Sequence, residues 1–346
     1  MTTTAEPAAK GRRRRILATA LGVVLSIALL AWAMRGVSFA EVGSHLARAR
    51  LGPLALAIFV ATGTFAIRAI RWGSLLRTDA GAKVSWRALW HGTTIGFMAN
   101  NVLPLRAGEL VRCYAVTRLD RVRLTAAFSS IAVERAFDGL TIIGLLVYAL
   151  FAAGLPRDVA IGGVRLEDVA TRAGVLCLLL LAGGLFVVLF PVLSERIVRA
   201  LLPFPRLADR IVALIEGLRH GFGALRSPGR LAAATAWSVV HWLVNAWAFY
   251  IGFGAFDIHV GFAGAVLLQS LLAFGVAVPQ APGYFGVFEL VAVKALGLFG
   301  VPPDTAIAYG AAYHITTMAP VTLIGLWSLA RTGLHLRDAT AGEARG

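Results

Sequence analysis

Three short polar stretches interrupt a sequence that is otherwise strongly apolar. They are "NNVLPLRAGELVR" (100–112), "ERAFD" (134–138) and "PQAPGYFGVFE" (279–289). An ionised side chain at the centre of a bilayer costs about 2.5–3.5 kcal/mol on insertion scales, so such groups usually face a protein interior and pair there. The three stretches therefore predict a polar site inside an apolar protein.

The spacing of the charged residues predicts which of them act together. Glu109 and Arg112 are three residues apart and Glu134 and Asp138 are four apart, so each pair shares one helix face. Arginine suits a phosphate group because its planar fork binds two oxygens, while the carboxylates suit a cationic or hydroxyl-bearing group or a proton. The alternative is that these charges only hold helices together. The predicted substrate-binding residues are Asn100, Asn101, Arg106, Glu109, Arg112, Glu134, Arg135, Asp138 and Glu289.

Prolines and glycines predict two broken helices that begin again near Pro104 and Pro282, since proline fits the first helical turn. The N–H groups at such a helix start carry partial positive charge and bind anions. The residues assigned to the breaks are Pro104, Gly108, Pro279, Pro282, Gly283 and Gly286. Weaker candidates for the cavity wall, for which hydrogen bonding between helices is the alternative, are His241, Asn245, Tyr284 and His314.

The composition is that of an integral membrane protein. Of the 346 residues, 58% are hydrophobic and 15% are charged, and the mean hydropathy is +0.76. We expect an all-α polytopic membrane protein with about six full spans, the first a retained signal anchor rather than a cleaved leader. The apolar windows are 16–34, 51–67, 139–156, 173–194, 231–256 and 305–330.

The charges are distributed unevenly between alternate connections. The connections predicted to lie inside hold 25 basic and 9 acidic residues, whereas those predicted to lie outside hold 6 of each. This bias predicts that both termini are cytoplasmic, in a bacterial-type cytoplasmic membrane. Anionic lipid headgroups account for the net charge of +15 without a nucleic-acid partner.

Two uncharged segments conflict with this bias if they cross the membrane completely. The first is the 18-residue stretch between Arg87 and Arg106, and the second begins at residue 260. Re-entrant hairpins, one entering from the inside and one from the outside over 260–303, remove the conflict. The result is an inverted-topology repeat. Its predicted parts are a basic tail (1–15), a first repeat (16–160), a second repeat (161–332) with a cytoplasmic amphipathic segment (195–230), and a second tail (333–346).

The sequence points away from familiar catalytic chemistry. It has no carboxylate pair at metal-ligand spacing and no Ser-His-Asp or Cys-His arrangement, and Cys113 and Cys177 lie in separate segments. We therefore predict no catalytic residue, no metal and no cofactor.

Taken together and in this order, the three polar stretches resemble the signatures of the lysylphosphatidylglycerol synthase transmembrane region family, over roughly residues 15–332. The resemblance implies a flippase-like domain that moves a lipid or lipid-linked headgroup between leaflets. In the aminoacyl-lipid enzymes this domain is joined to a soluble aminoacyltransferase, whereas only about 15 residues follow the last predicted span here. We expect a free-standing member that does not make lysyl-lipid. Such members are associated with glycolipid, polyprenyl-linked sugar and hopanoid pathways.

The leading hypothesis is transbilayer movement of an anionic phospholipid, glycolipid or polyprenyl-linked headgroup through a central polar cavity, which makes the protein a transporter rather than an enzyme. One alternative is a polytopic membrane transferase that uses a lipid-linked donor. Another is an accessory subunit that binds a membrane-associated transferase through segment 195–230. The same broken-helix design would also serve a transporter of small anions.

Overall fold

The structure is a computed structural model. It describes residues 38–103, 107–154, 190–201, 228–276 and 282–334, with short pieces between 160 and 186 and residue 212. The α-helices of these residues are α1 (Phe39–Arg48), α2 (Leu51–Leu75), α3 (Trp86–Val102), α4 (Gly108–Leu119), α5 (Leu124–Ala152), α6 (Pro191–Leu201), α7 (Pro228–Phe253), α8 (Phe262–Gly275), α9 (Val287–Gly297) and α10 (Pro303–Thr332).

Short elements join some of these helices. A two-residue antiparallel ladder pairs β1 (Ala160–Ile161) with β2 (Val164–Arg165). Single 3₁₀ turns follow α7 at Gly254–Phe256 and precede α9 at Pro282–Tyr284. The described residues are thus almost entirely helical, as the sequence predicted.

Three helices of the described residues are long and apolar enough to cross a bilayer. They are Leu51–Leu75, Leu124–Ala152 and Gly229–Phe256, which includes the 3₁₀ turn after α7. The predicted window 305–330 forms α10, whose 30 residues would span about 45 Å at 1.5 Å per residue. The window 16–34 lies outside the described residues, as does half of 173–194. The total of six spans stays a prediction.

Helix α2 is longer than its predicted span. The sequence placed residues 68–87 in a basic cytoplasmic connection, but the helix continues to Leu75 and carries Arg68 and Arg71 with it. It continues because Ala69 and Trp72 are fully buried in an apolar cluster of the folded protein. Burial of these neighbours keeps the segment helical despite its two charges.

Helices α3 and α4 form an antiparallel helical hairpin, called hairpin 1 below. A Cβ atom on Gly108 would lie 2.0 Å from the carbonyl oxygen of Gly96, and one on Gly92 would lie 3.7 Å from that of Arg112. The paired positions therefore run in opposite directions along the two helices. Only glycine allows the close approach at position 108.

Helices α8 and α9 form a second antiparallel hairpin, hairpin 2. Built Cβ atoms on Gly275 and Gly264 would lie 3.0 Å from the Val287 side chain and 3.1 Å from that of Phe299, respectively. The turn before α9 holds φ values of +74° at Gly283, +61° at Tyr284 and +86° at Gly286.

The α-helices begin four and five residues after the two prolines near which they were predicted to start, and only a 3₁₀ turn begins at Pro282. Helix α4 begins at Gly108 rather than near Pro104, and α9 begins at Val287 rather than at Pro282. In hairpin 2, the positive φ values after Pro282 are incompatible with a right-handed helix, so regular helix starts only after Gly286. Pro104, Arg106 and Pro279 lie outside the described residues.

The chain divides into two compact units that each combine distant segments. Unit 1 comprises Met1–Thr62, Thr94–Glu109 and Asn245–Trp327, and unit 2 comprises Gly63–Thr93, Leu110–Val244 and Ser328–Gly346. The core of unit 1 is rich in aromatic rings, such as Phe249 and Tyr313 stacked at 4.5 Å. The division into two sequential repeats stays a prediction.

Candidate functional site

Unit 2 contains a buried network of arginines and carboxylates, called the arginine cluster below. Its centre is Glu134 on α5, whose Oε1 accepts from Arg71 on α2, Arg112 on α4 and Arg135 on α5, each at 2.9 Å. Arg112 also donates to the second oxygen, Oε2, at 3.1 Å. One carboxylate therefore connects three helices.

Asp138, one helical turn beyond Glu134, completes the network. Both terminal nitrogens of Arg71 donate to it, one to Oδ1 and the other to Oδ2 at 3.2 Å. The Trp242 indole on α7 donates to Oδ1 at 2.8 Å, and Arg135 approaches Oδ2 to 3.5 Å. The predicted shared face of Glu134 and Asp138 is the face that binds Arg71.

Burial separates the members into two groups. The side chains of Arg71 and Glu134 are 0% exposed and that of Arg112 is 2% exposed, whereas that of Arg135 is 35% exposed. Arg112 also lies 3.9 Å over the Trp72 ring. The buried members brace the helices, and Arg135 extends from them toward the surface of the unit.

The cluster carries more positive than negative charge. Arg68 on α2 interacts electrostatically with Arg71, Glu134, Arg135 and Asp138 and lies 5.8 Å over the Trp242 ring. Together with Arg112, four guanidinium groups of the described residues face two carboxylates. Buried charge of one sign favours a ligand of the other sign.

His241 on α7 lies close enough to the cluster to interact electrostatically with Arg68, Arg71, Arg135 and Glu134. It is 0% exposed, and its ring meets Trp242 edge-on at 5.1 Å. Neither ring nitrogen has a hydrogen-bond partner among the described residues. A buried polar group in this state usually faces a water molecule or a ligand atom.

Unit 1 holds a second buried polar pair, Glu289 on α9 and His314 on α10. Their Oε1 and Nδ1 atoms are 2.8 Å apart, and the side chains are 4% and 6% exposed. The other oxygen of Glu289 accepts from the backbone N–H of Gly286 at 2.6 Å.

The amide candidates make local hydrogen bonds within unit 1. Asn100 accepts from the backbone N–H of Gly108 at 2.9 Å and closes the turn of hairpin 1. Asn101 donates to Thr322 at 2.9 Å, and Asn245 donates to Gln269 at 2.8 Å. Glu109, in the first turn of α4, and Tyr284, in the turn of hairpin 2, are half-buried.

The structure thus brings together Arg112, Glu134, Arg135 and Asp138 in unit 2, and Glu289 and His314 in unit 1. The single chamber shared by all predicted site residues stays a prediction. Among the described parts of the chain, no group of three His, Cys, Asp or Glu side chains is arranged to hold a metal ion.

The sequence-based reasoning missed Arg68 and Arg71. The signal was present in "AIRAIRW" (66–72), where the two arginines are three residues apart and no proline or glycine interrupts the helix. The positive-inside rule assigns basic residues to the connections between spans. Both arginines were therefore predicted to lie in a loop rather than in a helix.

The long apolar helices and buried ion pairs define a multi-pass helical membrane protein. A family model described as the lysylphosphatidylglycerol synthase TM region matches residues 19–325. The chain belongs to this family, as the three polar stretches indicated.

Two curated relatives show the range of proteins that this chain resembles. A "UPF0104 membrane protein" of Methanothermobacter thermautotrophicus is 27% identical, and the match covers 90% of this chain and 92% of that protein. "Glycosyltransferase AglD" of Haloferax volcanii is 28% identical over 96% of this chain, which spans 57% of that protein's length.

Proposed function

We propose that this chain moves the phosphate-bearing headgroup of a membrane lipid between the two leaflets of the bilayer. The lipid would be an anionic phospholipid, a glycolipid or a polyprenyl-linked saccharide. The observation that carries the proposal is the excess of guanidinium groups over carboxylates in the arginine cluster. In an apolar protein, that charge is stabilised when an anion binds beside it.

Arg135 is the residue that we assign to the phosphate. It is tied to Glu134 and Asp138 at 2.9 and 3.5 Å, yet 35% of its side chain is exposed. Arg71 and Arg112 have their forks on carboxylates and are buried, so they position Arg135 rather than bind the ligand. Arginine binds phosphate through paired N–H groups, which lysine does not reproduce.

His241 supports the assignment independently of charge. Its imidazole ring has two nitrogens that can take part in hydrogen bonds. Neither nitrogen has a hydrogen-bond partner among the described residues. A phosphate oxygen, a headgroup hydroxyl or a bridging water would satisfy them.

The lengths of the hairpin helices support the half-crossing arrangement that the sequence predicts. Helices α4 and α9 have 12 and 11 residues, or about 18 and 17 Å at 1.5 Å per residue. A hydrocarbon layer is about 30 Å thick, so neither helix would cross it alone. Re-entrant hairpins place helix starts and irregular backbone at mid-depth, which is tolerated where protein or water surrounds them.

The element bounds support an internal repeat with a constant spacing of 180 residues. This shift maps Leu51–Leu75 to 231–255, Gly108–Leu119 to 288–299 and Leu124–Ala152 to 304–332, where the structure has Pro228–Phe253, Val287–Gly297 and Pro303–Thr332. The same shift places Glu109 on Glu289 and Glu134 on His314. In each half, the second hairpin helix is therefore linked to the following long helix by a buried polar pair, Arg112–Glu134 or Glu289–His314.

The charge distribution supports a cytoplasmic membrane location with both termini inside. A repeat of opposite orientation in the two halves would let them rock around the site while acyl chains remain in lipid. The membrane would then supply the substrate laterally.

The test is a lipid movement assay with Arg135→Gln. Purified protein is reconstituted into vesicles, and movement of a fluorescent anionic phospholipid is followed by chemical quenching of the outer leaflet. We expect at least about a 10-fold loss of rate, the effect of one hydrogen bond between charged partners. The matched control is Arg50→Gln, because Arg50 is also paired with a carboxylate, Asp257 at 2.9 Å, but is 64% exposed in unit 1.

A rate for Arg135→Gln equal to that of Arg50→Gln would refute the assignment. Size-exclusion chromatography and thermal unfolding confirm that the variants are folded. Arg135→Lys keeps the charge, and we expect it to recover only part of the rate because the paired N–H groups are lost.

A second candidate is a membrane transferase that uses a lipid-linked donor, which the name of the Haloferax relative favours. Incubation of the purified chain with a labelled polyprenyl-linked sugar, with and without divalent metal, separates the two activities. Product without lipid movement would favour the transferase. Copurification with a transferase, together with neither activity in isolation, would favour an accessory subunit.

A further inference from the structure

Glu289 is placed to do more than cap a helix. Its Oε2 accepts from the Gly286 N–H at 2.6 Å, which satisfies the start of α9. Capping needs only one oxygen, and glutamine caps in the same way. The second oxygen, Oε1, instead faces Nδ1 of His314 at 2.8 Å. The charge of Glu289 and the presence of a histidine are unexplained by the cap.

The surroundings of His314 suit both of its protonation states. Its ring is stacked on Phe288, with centroids 4.4 Å apart and planes 10° apart, and meets Phe285 at 4.8 Å. Aromatic faces hold a neutral ring by packing and a cationic ring by cation–π attraction. An ionised Glu289 can only accept, so Nδ1 carries a hydrogen and Nε2 is the atom that exchanges a proton.

The pair lies directly after the most irregular backbone of hairpin 2. Gly283, Tyr284 and Gly286 all have positive φ, and Gly286 itself is bonded to Glu289. Glu289 thus links the turn of the hairpin to α10 through His314. A stronger bond between Glu289 and His314 would hold this turn closed, and a weaker one would release it.

We propose that Glu289 and His314 form a proton-binding site whose occupancy controls the turn of hairpin 2. A proton from water binds Nε2 and leaves by the same route, and no other bond changes. With the proton bound, the pair is an ion pair and the turn is held on α10. Without it, a neutral histidine holds the turn less strongly. Its use in transport rests on the proposed function, whereas the proton-dependent turn does not.

Few titratable side chains of unit 1 lie on the helices that carry this pair or on helices α7 and α8. Helix α8 has no titratable side chain, and α7 contributes only Tyr250 to the unit. Among the described residues, neither Glu289 nor His314 has another ion-pair partner within 4.0 Å. The remaining groups on the packed elements are Glu109 on α4, exposed Lys294 on α9, and Asp304, Tyr309 and Tyr313 on α10, with Tyr284 in the turn.

The test is hydrogen exchange of the peptide that contains residues 282–290, measured by mass spectrometry on full-length protein in lipid nanodiscs. Exchange is compared at about pH 5 and about pH 8, across the range in which imidazole changes charge, after correction for intrinsic rates. For the wild-type protein we expect the turn to open at least about 10-fold less at the lower pH, the effect of a hydrogen bond to a charged group.

Three variants decide between this proposal and a purely structural role. Glu289→Gln keeps the cap, and His314→Phe keeps the ring stack, so both should fold while losing the pH response; His314→Gln serves if the Phe variant does not fold. The matched control is His259→Gln, because His259 is exposed in unit 1 and outside the pair. It should keep the full response.

A wild-type turn with no pH response would overturn the proposal, and so would a response that persists in Glu289→Gln or disappears in His259→Gln. A pH gradient across reconstituted vesicles then tests the role in transport. We expect the rate of lipid movement to follow the gradient in the wild type and not in Glu289→Gln. If the wild-type protein moved no lipid but its hydrogen exchange still responded to pH, the proposed function would be rejected and the proton-binding site would stand.

Discussion

The arginine cluster predicts a large and specific effect for Glu134→Gln. Oε1 of Glu134 accepts from three arginines at 2.9 Å, and the side chain is 0% exposed. Glutamine has the same shape, so the substitution removes charge while leaving packing intact. Its amide NH₂ would also point a donor at one of the guanidinium groups, which have no acceptor to offer.

The magnitude follows from the charges that remain. Asp138 would be left as the sole carboxylate against Arg68, Arg71, Arg112 and Arg135 within the described cluster. Removing one partner of a buried ion pair typically destabilises a protein by about 3–5 kcal/mol, because the other charge stays buried without compensation. We expect a loss of stability in this range.

A double-mutant cycle measures the effect. Arg112→Gln removes the arginine that binds Glu134 through both oxygens, at 2.9 and 3.1 Å, and the double variant restores the charge balance of the cluster. We therefore expect the double variant to be more stable than the sum of the single effects predicts, by about 0.5–3 kcal/mol. Thermal unfolding in detergent, followed by intrinsic tryptophan fluorescence, measures the stability of each variant; Trp72 and Trp242 contribute to this signal from beside the cluster.

The control is Glu195→Gln on α6. Its partner Arg199 lies 3.0 Å away, but the two side chains are 43% and 49% exposed. An exposed pair of this kind contributes only about 0.3–0.5 kcal/mol. If Glu134→Gln were no more destabilising than Glu195→Gln, or if the cycle were additive, the cluster would not be the charge-coupled network described above.

Two further predictions concern other parts of the fold. Gly108→Val should prevent hairpin 1 from closing and abolish the folded peak in size-exclusion chromatography, since its Cβ would lie 2.0 Å from a carbonyl oxygen, whereas Gly144→Ala, with no atom within 4 Å, should fold normally. At the start of α10, burial acts to raise the pKa of Asp304, but the hydrogen bond from His45 at 2.9 Å outweighs it, so this pKa lies below 3.8. A lowered carboxyl pKa stabilises the folded state above the ordinary pKa and loses that contribution as pH falls through the lowered value. Asp304→Asn should therefore reduce the loss of stability in acid below about pH 4, by no more than about 1 kcal/mol for a partly exposed pair. Melting temperatures measured across this pH range check the prediction, and an unchanged acid profile would contradict it.

Local patterns were enough to predict the helical class and one feature of the site. The apolar windows at 51–67 and 231–256 form long helices because every side chain there tolerates lipid or packed protein. The i, i+4 spacing of Glu134 and Asp138 was enough to predict that both side chains lie on one face of a helix. The assignment of Pro104 and Pro279 to helix breaks stays a prediction, because both residues lie outside the described part of the chain.

The tertiary structure decided which residues complete the site and where the broken helices resume. From the sequence alone, Arg71 is predicted to lie in a loop. The residues that stabilise it within a helix, Glu134 and Asp138, are more than 60 positions away along the chain. Helix α4 begins at Gly108, where its backbone meets that of Gly96 in the folded hairpin. Periodicity acts over a few positions, so the sequence alone determined which of these segments are helical but not where every helix begins and ends. Burial of charge and contact between backbones depend on distant partners, so only the folded chain determined the cluster.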